Sequence, residues 1–352
     1  MTRHFSILGA ATAVLLLIAA CGGGEEDTSE TSGSPSQAAC VPDPTEVVLR
    51  PSDSEYVPVI ASSDLAVGAN RLVVGLLDAA GEPATGAELH FRIYCFSESG
   101  DQVDRFDTDS EALTITKTYT HTHDDGTVES HSAGQLGVHV ANVDFDMAGM
   151  WGLEVTGAID GKELEGQTAT FSVREKSESP ALGAPAPRSV QPTLAEVADI
   201  RELDTSAAPI PAMHDKTIAE AVTSGKPTVI AFATPAFCTS QLCGPAKEIF
   251  DAAFEQYGDQ ANFVHVEPYF LEEARAGKAL CPIPIMNVSY AANPQQGCPT
   301  IPADQLPPAE QSWNLSTEPW VFVVDKDGNI AAKFESAFSE QELEDALTAV
   351  LS

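Results

Sequence analysis

Two kinds of hydrophobic periodicity divide the chain. From Glu46 to about Glu175, short β-prone runs recur between turn signals: EVVLR, RLVVGLL, ELHFRIYCF, LTITKTY, QLGVHVANV, WGLEVTG and ATFSV. Ala80-Gly81, Ser99-Gly100, Asp125-Gly126 and Asp160-Gly161 fall between them, without helical spacing. Repeated strands at this interval predict an antiparallel β-sandwich over residues 46–175. Beyond about Pro211 the pattern alternates between strand and helix. Asp215 can cap a helix carrying Ile218, Ala219 and Val222, which Gly225 and Pro227 end. The β-branched run Thr228–Ala233 predicts a buried strand, and Phe250, Ala253, Phe254 and Tyr257 predict a helix ending at Gly258. Asn262–Val266 reads as a second buried parallel strand. Trp320–Val324 and Ile330–Phe334 form a hairpin across DKDGN. Ser339 with Glu342 makes a capping box for a closing helix lined by Leu343, Ala346, Leu347, Val350 and Leu351.

Outside these regions the chain has other work. In residues 1–20, Arg3 and His4 precede an apolar run, and Ile18-Ala19-Ala20 leads into Cys21. The run is short for a membrane span, and small residues before a cysteine predict a cleaved export signal. Residues 21–45 are small, acidic and Pro-containing with little to bury, the composition of a flexible tether. Residues 176–210 begin KSESPALGAPAPRSVQPT and read as a semi-extended, Pro-rich linker ahead of a second domain at 211–352.

Charge narrows the range of partners. With 18 basic and 52 acidic residues, the formal net charge is −34. Such a surface repels nucleic acid and anionic headgroups, so no nucleic-acid partner is expected. It favours solubility and also attracts cations. Of the seven cysteines, six remain after Cys21. An even number in an exported chain predicts disulfides, and neighbourhood suggests Cys40 with Cys95, Cys238 with Cys243 and Cys281 with Cys298. The last pair lies in an irregular insertion without its own core, so a structural bridge is expected there.

The chemistry concentrates in TPAFCTSQLCGP, residues 234–245, where a buried strand turns into a helix. Pro245 suits a first helical turn, which lacks intrahelical acceptors for its N–H groups. Free N–H groups and the positive dipole end favour a thiolate there, so a lowered pKa is expected for Cys243 and also for Cys238. A second candidate is YTHTHDDGTVESHSA, which gathers His121, His123 and His131, with His139 a few residues on. Residues i and i+2 of a strand share a side, and a hairpin at Asp125-Gly126 returns His131 towards them. Three imidazoles beside Asp124 or Glu129 would suit copper or zinc, with Met147 and Met150 as further soft donors or as packing residues. An exposed hairpin tip also tolerates histidines without any ligand. His265 can serve as a ligand or as a hydrogen-bonded core histidine. Asn287-Val288-Ser289 and Asn314-Leu315-Ser316 match a glycosylation pattern and read as chance.

Three resemblances attach to these residues. Ile18-Ala19-Ala20-Cys21 resembles the lipobox of bacterial lipoproteins, which implies a lipid on Cys21 and an anchored, extracytoplasmic protein. The repeated strands, with AGMWGLEV at 148–155, resemble immunoglobulin-like modules of bacterial copper-related and respiratory-assembly proteins. The cysteines after the first core strand, with Thr317-Glu318-Pro319 before the hairpin, resemble the thioredoxin superfamily over about 140 residues. That resemblance implies a two-domain chain, all-β followed by an α/β thioredoxin-like fold, with Pro319 cis and facing the cysteines. Phe237 stands where that family usually has tryptophan. The family's pair is Cys-x-x-Cys, or Cys-x-x-x-Cys in copper-handling relatives, whereas four residues separate Cys238 from Cys243 here. Alternatively, Cys243-Gly244-Pro245-Ala246 aligns with Cys-Gly-Pro-Cys and lacks the resolving thiol. The acid that family reductases carry in the preceding strand is missing from TVIAFA.

Three functions stay open at this level. The first is thiol-disulfide exchange with exported clients, catalysed by Cys238 and Cys243 with no cofactor required. The second is a copper-handling assembly factor using those thiolates and the histidine hairpin. The third is a surface binding module that catalyses nothing, since fold does not fix function.

Overall fold

A computed structural model of the chain describes residues 39–45, 47, 55–122, 127–238, 240 and 242–352. The candidate signal, Cys21 and His123 lie outside these residues, as do most of the tether and all but Val47 of the predicted first strand. Among the described residues the N-terminal half has eight strands, β1 (Val57–Ile60), β2 (Gly68–Leu77), β3 (Ala87–Phe96), β4 (Gln102–Asp109), β5 (Glu111–Thr122), β6 (Val128–Phe145), β7 (Gly149–Ile159) and β8 (Lys162–Val173). They form two antiparallel four-stranded sheets, ordered β1-β2-β6-β5 and β4-β3-β7-β8. The two sheets share one core, built from Leu72, Val74 and Leu76 of β2, Phe91 and Ile93 of β3, Val143 and Phe145 of β6, and Trp151 and Leu153 of β7. Cys40 is disulfide-bonded to Cys95, which fastens the incoming chain to β3.

The strands obey the period of two that a pleated backbone imposes. Where Leu72 and Val74 face the sandwich core, Val73 between them joins a different cluster with Ile115, Leu136, Val138, Val140, Leu242 and Ala337. The β1-β2-β6-β5 sheet is therefore apolar on both faces, and its outer face is covered by the C-terminal half. Residues 38–352 accordingly form one compact unit. Polar contacts complete the seam between the halves. Arg71 of β2 grips Glu342 with two bonds, Nε to Oε1 at 2.7 Å and an Nη to Oε2 at 3.0 Å. Ser63 N donates to Glu335 Oε2 at 2.9 Å. Lys333 Nζ donates to the hydroxyls of Ser177 and Ser179, each at 2.8 Å, beside the buried carboxylate of Asp64.

The C-terminal half is built on one mixed sheet of β9 (Thr228–Phe232), β10 (Asn262–Val266), β11 (Trp320–Val324) and β12 (Ile330–Glu335), ordered β10-β9-β11-β12. β10 runs parallel to β9, while β11 is antiparallel to both of its neighbours. Five helices accompany it among the described residues: α1 (Ile218–Val222), α2 (Cys243–Tyr257), α3 (Leu271–Arg275), α4 (Val288–Ala292) and α5 (Glu340–Leu351). Ile230, Phe232, Phe322 and Val324 point to one face, with Ile218 and Val222 of α1 and with Trp313. Val229, Ala231, Val321 and Val323 point to the other, with Phe250 of α2 and Leu343 and Leu347 of α5. Burial on both faces explains why β9 and β11 read as unbroken apolar runs.

Two local expectations are corrected. The α1 cap is Thr217, not Asp215: Thr217 Oγ1 accepts from Glu220 N, and Glu220 completes a capping box. Nor is 176–210 a free spacer. Gly183 N and Ala186 N donate to Ile330 O and Gly328 O, Ser189 Oγ donates to Gln311 O, and Gln191 Oε1 accepts from Ile218 N. Prolines prevent this segment from becoming a full strand, yet these hydrogen bonds dock it onto the second half. Cys281 is disulfide-bonded to Cys298, closing the irregular insertion as expected.

Candidate functional site

The turn between β9 and α2 brings together the two cysteines that remain among the described residues. Cys238 and Cys243 are free thiols, the first partly exposed and the second buried. Their sulfurs and a carboxylate oxygen of Glu318 all lie within 4.8 Å of one another. Helix α2 begins at Cys243, so Cys243 N–H is one of the donors that a first turn leaves without an intrahelical acceptor. It donates to Cys238 Sγ at 3.1 Å, while Ser240 Oγ lies 3.3 Å from the same sulfur.

This geometry separates the two thiols electrostatically. The hydrogen bond from the Cys243 side chain is the largest influence on Cys238. With the Ser240 hydroxyl and the backbone N–H groups of Cys243 and Leu242, it outweighs burial and lowers the Cys238 pKa to about 6. Burial moves Cys243 strongly the other way, assisted by its neighbour Cys238 and by Glu318. The expectation of an activated Cys243 is thus corrected: the helix terminus acts through the backbone of Cys243 upon the sulfur of Cys238. The suggested Cys238–Cys243 disulfide is likewise absent from this reduced arrangement.

The Glu318-Pro319 peptide bond is cis, as expected from its place before the hairpin. The carboxylate of Glu318 accepts a hydrogen bond from Tyr269 Oη. Burial raises the Tyr269 pKa, with Glu318 adding to the rise, so the phenol stays protonated as a donor. Glu318 and Tyr269 were not singled out from sequence. Their available signal was the position of Glu318 directly before the proline, whereas Tyr269 arrives through tertiary packing. Leu242, beside Cys243, is buried against Val73, Ile115, Leu136 and Val138, so the first half abuts the cysteine turn.

The histidine hairpin is only partly described. The β5–β6 register pairs position 121 with Glu129 and position 131 with Tyr119, and His131 Nε2 lies 3.6 Å from Glu129 Oε2. His139 does not belong with them. It is buried, its Nδ1 lies 3.2 Å from Ser110 Oγ, and burial holds its pKa down at about 4. Met147 packs against the sandwich core. His265 is a core residue whose Nε2 faces Ala233 O at 3.0 Å.

No family model matches the chain. No curated protein matches it either. Among solved structures, a conjugative transposon lipoprotein from Bacteroides eggerthii aligns at 9% identity, covering 34% of this chain and 96% of that one with a TM-score of 0.15. At that level the likeness assigns neither fold nor function. No helix among the described residues is long and apolar enough to cross a membrane.

Proposed function

We propose that the chain is a lipid-anchored, extracytoplasmic protein whose C-terminal half is thioredoxin-like and exchanges disulfides with exported client proteins. The observation that carries this reading is the unequal pair, a partly exposed Cys238 favouring thiolate beside a buried Cys243 favouring thiol. The Cys238 thiolate attacks one sulfur of a client disulfide, forming a mixed disulfide and expelling the client's other sulfur as a thiolate. Cys243 then loses its proton and attacks Cys238 Sγ, closing the Cys238–Cys243 disulfide and releasing the client's second thiolate. Glu318, grouped with both sulfurs, is placed to accept that proton. Two electrons pass to the client, and a dithiol reductant outside the membrane restores the pair. A lipid on Cys21 would hold the protein at the membrane surface. Reduction of insulin disulfides by the mature chain, abolished in Cys238→Ser, is the expected result. Equal activity in that variant would end the proposal.

A second reading has its own support, because two sulfurs and a carboxylate within 4.8 Å of one another also form a donor set for a soft cation such as Cu(I). A Cu(I) competition titration distinguishes it. Binding lost in Cys238→Ser together with absent insulin reduction favours metal handling over exchange.

A further inference from the structure

Behind the cysteine turn lies a second group of chemically active side chains that thiol exchange does not use. Asp204 follows the short turn Ile200–Glu202, His214 ends the turn Pro211–His214, and His265 sits in β10, so three separated segments converge. All three residues are buried, and one donor atom of each lies within 4.8 Å of the other two. Asp204 Oδ2 is 3.1 Å from His214 Nε2 and 3.2 Å from His265 Nδ1. Around a tetrahedral ion with bonds of about 2.0–2.2 Å, neighbouring donors stand roughly 3.3 Å apart, so these separations fit with little movement.

His265 supplies the independent observation. Its Nε2 faces the Ala233 carbonyl at 3.0 Å, and a carbonyl can only accept, so the proton belongs on Nε2. Nδ1 faces Asp204 Oδ2 at 3.2 Å, close enough that a proton or a cation must sit between them. A lone pair held against a buried carboxylate is repulsive unless a proton or a metal ion lies between them. Anchoring the distal ring nitrogen on a carbonyl is also how metal-bound imidazoles are commonly oriented. Glu267, two residues along from His265, brings a second buried carboxylate, whose Oε1 accepts from Thr205 N and Oγ1 and whose side chain is also hydrogen-bonded to Thr234. Access exists as well: a cavity of about 390 Å³ is lined by His214, His265, Glu267, Leu203, Tyr269 and Phe270. The nearby cation Lys247 is already paired, its Nζ lying 2.6 Å from Asp251 Oδ1.

We propose that Asp204, His214 and His265 form a binding site for a zinc-class divalent cation, with Glu267 at its edge. Two imidazoles and a carboxylate are a borderline donor set of the kind zinc accepts, and a fourth position stays open towards the cavity. The ion ties the segment before α1 to β10. Through Ala233 and its neighbour Thr234, whose backbone N–H reaches the Cys243 sulfur, it braces the floor of the cysteine turn. This inference does not depend on the exchange reading.

The test uses the mature full chain carrying Cys238→Ser and Cys243→Ser, so that thiols cannot bind the probe. Zinc is titrated in competition with a chromogenic chelator. One equivalent should bind, and Asp204→Asn and His265→Gln should each weaken it by about 100-fold or more. Unchanged binding in both variants, or zinc lost only on replacing His121, His123 and His131, overturns the proposal. Should the variants fail to fold, zinc-edge absorption of the zinc-loaded parent decides: two imidazoles with oxygen donors are expected, and a shell without imidazole contradicts the site.

Discussion

Cys243 donates its backbone N–H to the sulfur of Cys238 at 3.1 Å, so the residue that opens α2 activates its partner rather than itself. The side-chain hydrogen bond between the two thiols acts in the same direction. Cys238 should therefore ionise with a pKa of about 6. Alkylation rate against pH measures this directly in the reduced protein. Cys243→Ala removes the largest influence and should move the midpoint towards the ordinary thiol value of about 8.5. A midpoint already near that value in the parent would contradict the geometry. The sign for stability follows: with the folded pKa below the ordinary thiol value, the contribution is full above that value and is lost as pH falls through about 6.

His139 gives a separate acid response. Its folded pKa of about 4 lies below the usual histidine value of 6.5, so the unfolded chain binds an extra proton between those values. Stability should rise with pH across that window, with a total effect on the order of 3 kcal/mol. Urea midpoints at pH 4.5 and 7 check it, and His139→Gln should flatten the dependence.

The two halves are clasped by Arg71 and Glu342, whose side chains are 14% and 29% exposed. Paired bonds between guanidinium and carboxylate at partial burial predict a coupling of about 1 kcal/mol in a double-mutant cycle. Additive single effects would mean that this ion pair contributes nothing to the seam.

The seam's apolar contact centres on Leu242, buried between the cysteine turn and the outer face of the β1-β2-β6-β5 sheet. Leu242→Ala should cost about 2–4 kcal/mol in chemical denaturation. A loss well under 1 kcal/mol would mean that the contact contributes little.

Much of this architecture was legible because burial writes itself into residue spacing. Val229, Ile230, Ala231 and Phe232 read as a doubly buried strand and are one, and Ser339 with Glu342 read as a capping box and forms it. β4 escaped because QVDRFDTD is a largely exposed edge strand with no apolar alternation, and β1 because Pro58 interrupts a short edge run. The packed segment 176–210 read as a spacer because the hydrogen bonds that dock it are made to residues distant in sequence. The site divides similarly. Cys238, Cys243 and Pro319 were visible as local motifs, whereas Glu318, Tyr269 and the Asp204–His214–His265 group acquire their chemistry only when separated segments meet. Which sulfur is activated was also hidden, because it depends on the path of the turn rather than on helix position.

An equilibrium redox titration of the Cys238–Cys243 pair tests the exchange reading most directly. A thiolate stabilised to a pKa of about 6 favours the reduced form at neutral pH and so raises the potential. The account predicts a reversible two-electron transition at about −270 mV or higher. A potential well below about −300 mV would make the pair a structural bridge and contradict it.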